Sequence, residues 1–118
     1  MTARMVNTGP APSRALVAAV LDWYQTKYGM RRPPLAGAGV LALVVESHRR
    51  GTPFPQHVEA ARRVGCSVET VGYTLNVALE RGVVRQTVQT APGCVTMRDS
   101  VVRQIYYVPC PELAQLAG

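Results

Sequence analysis

The residues best equipped for chemistry in this 118-residue chain are its arginines. Of 13 basic side chains only Lys27 is a lysine, and the 7 carboxylates leave a formal charge of +6. Guanidinium forks match phosphate oxygens and guanine edges two bonds at a time. A positively charged chain also gains by releasing counterions condensed on a polyanion. A phosphate-bearing partner is therefore the chemistry this composition favours. Nine of the arginines are the pairs Arg31-Arg32, Arg49-Arg50 and Arg62-Arg63, and later Arg85, Arg98 and Arg103.

Nothing else in the chain offers a reaction. His48, His57 and Cys66 are irregularly spaced and one ligand short of a closed zinc site; they read more simply as surface histidines and a packed turn cysteine. Cys66, Cys94 and Cys110 are odd in number, far apart and without a CxxC pair, so no disulfide framework is expected. Cys94 could sense oxidants only if its surroundings lowered its pKa. There is no Ser-His-Asp order, no phosphate-cradling glycine loop and no convincing carboxylate pair. The expectation is a protein without catalytic residues, metal or cofactor.

Several elements must position the arginines. Residues up to about Pro12 read as a loose tail. Ser13 is placed to cap a helix running to about Tyr28, with Leu16, Val17, Val20, Leu21, Tyr24 and Tyr28 on one apolar stripe, Trp23 at its edge and Gly29 at its end. A second helix is predicted over Ala38 to Arg50, apolar almost all round from Val40 to Val45 and so buried on several sides. Gly51-Thr52-Pro53-Phe54-Pro55 breaks it, and Pro55 suits the first turn of a third helix ending near Val64. Gly65 then turns the chain, Ser67 caps a fourth helix with Val68, Val71, Leu75, Ala78 and Leu79 inward, and Gly82 closes it. From Val83 the pattern changes. Val83 to Thr90 and Val101 to Val108 are rich in β-branched and aromatic residues around Ala91-Pro92-Gly93, which predicts a hairpin with Arg98, Asp99 and Ser100 at its polar tip.

The segment from Phe54 to Val71 meets the demands of a helix-turn-helix at the right spacing. Ala61 is small where the second helix must cross, Gly65 is free to take positive φ, Ser67 caps, and Val71 and Leu75 anchor the inner face. In the same register, Phe54-Pro55, Ala60-Ala61, Val64-Gly65-Cys66-Ser67, Thr70-Val71, Leu75 and Gly82-Val83-Val84 resemble the winged helix DNA-binding domains of the GntR type, over residues 40 to 90. That resemblance implies a winged helix-turn-helix, mainly α with a small β-hairpin, here with an extra N-terminal helix. It also implies double-stranded DNA as partner. The family's arginines after the capping serine and after Thr-Val are replaced by Val68 and Gly72, and its effector domain is absent, so no small-molecule effector is implied.

At about 100° per residue, the outward face of the fourth helix carries Glu69, Tyr73, Asn76 and Glu80, flanked by Thr70, Gly72 and Val77. Asn76 suits adenine, Glu69 cytosine, and Tyr73 a phosphate or a thymine methyl. Arg62, Arg63, Arg85, Arg98 and Arg103 would supply positioning contacts, with the capping Ser67 at the helix start. The expected layout is a tail and N-terminal helix over 1–36, the DNA-binding domain over 37–110 and a C-terminal tail over 111–118. The first helix either packs on the domain or forms a homodimer seam through Leu16, Val20 and Tyr24. The N-terminus lacks a secretory signal's apolar core, and the run Leu35–Val45 is far short of the roughly 20 residues needed to span a bilayer. A cytoplasmic, nucleoid-associated transcriptional regulator of a bacterium, plasmid or phage is expected. The alternatives are a winged helix protein–protein adaptor and a replication or partition accessory factor.

Overall fold

The computed structural model describes residues 9–29, 35–90 and 103–117. The described chain is mainly helical, with helices α1 (Arg14–Tyr28), α2 (Leu35–Arg50), α3 (His57–Val64) and α4 (Val68–Glu80), strands β1 (Val84–Thr90) and β2 (Arg103–Pro109), and a short helix α5 (Pro111–Gln115). No helix among the described residues is long and apolar enough to cross a membrane.

Helix α2 is the centre of the core. Every residue from Ala38 to Val45 is buried, because α1, α3, α4 and β2 all pack against it. Its start lies three residues earlier than the sequence predicts. Gly37 and Gly39 weaken the local helical signal, but packing overrides propensity. At Gly39 the absence of a side chain is required: a Cβ there would stand 2.7 Å from Val64 Cγ1, so α2 and α3 approach through this position.

Helix α1 begins where Ser13 Oγ accepts from the Leu16 N–H, and the Ser13 N–H reaches Glu46 Oε2 of α2 at 3.0 Å. Leu16 and Val20 are buried within the chain, with Val17, Leu21, Trp23, Tyr24 and Tyr28 packed at the margin. Leu16 and Val20 of the apolar stripe are thus used on the fold itself, while Tyr24 remains half-buried.

Strands β1 and β2 are antiparallel, in register from Val84↔Pro109 to Thr90↔Arg103. Alternation buries Val84, Tyr107 and Pro109, while the cross-strand pair Val88↔Ile105 on the same face lies beyond the core and is exposed. The Phe54 N–H donates to the Ile105 carbonyl at 2.9 Å, and the Phe54 and Tyr107 rings meet edge to face at 5.3 Å. These contacts tie the stretch ahead of α3 to β2. Pro55 lies before α3 rather than in its first turn, since the helix starts at His57 with Gln56 as its cap. Two further expectations need correction. Val68, assigned inward, is 41% exposed because it opens α4 beyond the edge of the core. The segment after Cys110 is not a bare tail: Pro111 starts α5, Leu113 is fully buried, and the Cys110 N–H donates to the Val83 carbonyl at 2.8 Å. Lys27 of α1 also pairs with Glu112 of α5.

Candidate functional site

Helices α3 and α4 and the turn between them form the centre of the site. Ala60 and Ala61 are buried under the crossing. Gly65 adopts φ 83°, ψ 40°, a left-handed conformation in which a side chain is strained. This lets both the Gly65 and the Cys66 N–H donate to the Ala61 carbonyl, at 2.8 and 3.0 Å. Three residues suffice to reverse the chain. Ser67, in extended conformation, then accepts from the Thr70 N–H at 3.1 Å, and its hydroxyl meets that of Thr70 at 2.9 Å. Val71, Leu75 and Ala78 are buried. Burying a side chain the size of Val71 or Leu75 stabilises by about 1.5–3 kcal/mol, which fixes the rotation of α4 about its axis.

That rotation sets what α4 shows to solvent. Glu69, Tyr73, Asn76 and Glu80 are exposed as one stripe, with Tyr73 at 71%. Thr70 is half-buried, with its N–H and hydroxyl both engaged by Ser67. Gly72 is half-buried too; a Cβ there would lie 3.9 Å from His57 Nδ1, so this position looks toward the start of α3 rather than freely outward. The stripe carries two carboxylates and no cation. Arg81, immediately after α4, is turned onto α1, where its guanidinium lies over the Tyr24 and Tyr28 rings.

The basic residues divide into engaged and free. Glu59 binds both Arg62 and Arg63, the latter through Nε at 3.0 Å. These hydrogen bonds hold the Glu59 carboxyl below the usual carboxylate range. The Arg62 side chain remains 54% exposed, but that of Arg63 is only 16% exposed, and its guanidinium lies against Gly9. The Glu59–Arg62–Arg63 spacing, three and four residues apart on one helix, was the readable signal for this capture. Arg49, Arg50 and Arg85 are exposed and have no carboxylate partner among the described residues. Arg49 and Arg50, with His48, occupy the last turn of α2, where the helix dipole favours positive charge. Arg103 pairs with Thr90 in the hairpin register. Arg98, Cys94 and the Arg31-Arg32 pair lie outside the described residues.

Among the described residues, no group of three or more His, Cys, Asp or Glu side chains is placed to hold a metal ion. Cys66 and Cys110 are free thiols, and burial pushes the Cys66 thiol up. That shift works against thiolate reactivity. Comparison of the chain with models of known families, with characterised proteins and with solved structures gives no match.

Proposed function

We propose that this chain is a winged helix-turn-helix protein that binds double-stranded DNA and acts as a transcriptional regulator. One observation carries the reading. Two helices joined by a three-residue turn at a left-handed glycine present an exposed polar stripe on the second, and an antiparallel hairpin follows directly. In such an arrangement the second helix enters the major groove and the hairpin lies along the backbone or minor groove. Asn76 and Tyr73 are the base-reading candidates on the stripe. With Arg62 and Arg63 both held by Glu59, backbone contacts fall first to Arg85, Arg49 and Arg50. The formal charge of +6 supports the same partner.

The test is fluorescence anisotropy of labelled duplexes across a salt series, first with a random-sequence pool and then with sites selected from it. Affinity should fall by decades between low and moderate salt if several phosphates are contacted. Asn76→Ala should relax preference at one base pair, while Arg85→Ala should weaken all duplexes alike. No binding to any duplex at low salt would refute the proposal. A second reading, a winged helix adaptor for a protein partner, draws support from Glu69 and Glu80 flanking Tyr73 without a cation on the stripe. That same null result would favour it.

A further inference from the structure

Behind the exposed stripe of α4 lies a groove of about 440 Å³ that the sequence alone does not reveal, because three separate helices form it. Its floor is apolar: Ala38 and Leu41 of α2 and Ala78 of α4 are all buried. Val77 and Thr74 of α4 make one wall, and the Tyr24 ring of α1 makes the other. Tyr73 stands at the rim, so one aromatic side chain belongs both to the groove and to the exposed stripe.

The two ends differ in charge. Arg81 closes one end; its guanidinium donates to the Tyr24 hydroxyl and rests 5.6 and 5.0 Å from the Tyr24 and Tyr28 ring centroids. No carboxylate pairs with it among the described residues. The tyrosines hold the fork in place, and the Tyr24 bond uses one of its five N–H donors, leaving others for a planar anion. Glu69 borders the opposite end, about 18 Å away along α4 at 1.5 Å per residue. An anionic head is therefore drawn to Arg81 and repelled from the far end. Thr74 lines the channel midway and Thr70 lines it beside Glu69, so two threonines interrupt the apolar side chains.

We propose that this groove is a binding site for a small amphipathic carboxylate, its head on Arg81 and its aromatic or aliphatic body over Leu41, Ala78 and Val77. The volume suits a metabolite-sized molecule, and an apolar lining with few fixed polar groups is what such sites need. Charge complementarity selects the occupant: among the described residues the groove supplies one held guanidinium without a carboxylate partner and no second cation. This inference does not depend on DNA binding. Because Tyr73 lies in both surfaces, an occupant would touch the side chain that the proposed DNA-reading face uses.

The test uses the full chain, with backbone amide NMR titrations and thermal melts against 4-phenylbutyrate, indole-3-propionate and octanoate. The uncharged 4-phenylbutyramide serves as control. At least one carboxylate should saturate, shift amides of Ala38, Leu41, Thr74 and Val77, and raise Tm. The amide should bind at least tenfold more weakly, since hydrogen bonds to a charged group supply the difference. Arg81→Gln removes the guanidinium together with its contacts to Tyr24 and Tyr28; with an unchanged amide spectrum away from the groove as the check on folding, it should weaken the carboxylate about tenfold and the amide far less. Val77→Phe should block both by filling the channel. Failure of all three carboxylates at millimolar concentration would overturn the proposal. So would equal binding of acid and amide, wild-type affinity in Arg81→Gln, or shifts of the same amides on raising protein concentration alone, which would place a second copy in the groove.

Discussion

Replacing Gly39 by alanine should reverse its effect on stability according to what stands at position 64. In the native chain a Cβ at position 39 would lie 2.7 Å from Val64 Cγ1, closer than real Cβ contacts come. Val64 is short and β-branched, so it cannot swing away without leaving its rotamer well. Overpacking of this kind costs about 1–3 kcal/mol. Against it stands the gain from replacing glycine inside a helix, about 0.5–1 kcal/mol. The net expectation is a loss of up to about 2.5 kcal/mol, centred near 1 kcal/mol. Truncating Val64 to alanine removes Cγ1, and the nearest remaining atom of that residue is its Cβ at 3.7 Å, an ordinary contact. In that background Gly39→Ala should stabilise by about 0.5–1 kcal/mol, so the coupling between the two positions is about 1–3 kcal/mol. Urea unfolding of the four proteins, followed by helical circular dichroism, measures it. If Gly39→Ala changes stability equally in both backgrounds, the close approach of α2 and α3 is not what requires glycine here.

Four further outcomes follow from the same geometry. Gly65→Ala meets no heavy atom within 4 Å, so its cost is backbone strain alone, about 1–2 kcal/mol, and Gly65→Asn should recover part of it in the same urea assay. Ser67→Ala should cost about 1 kcal/mol and speed hydrogen exchange at the Thr70 amide, which loses its acceptor. Leu113→Ala should cost about 2–5 kcal/mol because the side chain is fully buried, where an unstructured tail would tolerate it with no measurable change in Tm. Glu59 has a lowered pKa in the folded state, so its ion pairs with Arg62 and Arg63 contribute fully above the ordinary carboxylate range and are lost as pH falls through the lowered value. Thermal melts from pH 6 downward should show a shallower acid limb for Glu59→Gln than for the native chain.

Local physics made much of the architecture legible. The apolar stripe of α1, the all-round apolar face of α2 and the cap, anchors and glycine turn at Ser67, Val71, Leu75 and Gly65 rest on spacings of one, three and four residues. Those spacings exist before the chain folds. The change to period-two β-branched residues after Gly82 announced the hairpin in the same way. The outward stripe of Glu69, Tyr73, Asn76 and Glu80 was also readable, because buried Val71 and Leu75 determine which side of α4 remains. Tertiary structure decided whatever depends on residues far apart in the chain. The stretch ahead of α3 is tied to β2 because the Phe54 N–H pairs with Ile105, about fifty positions later. Gly39 is needed because Val64 of another helix arrives there, and Leu113 becomes core because Val83 and Cys110 dock the last segment. The groove at Arg81 needs α1, α2 and α4 at once: a spacing pattern can orient each helix, but it cannot say which faces will meet or leave a gap between them.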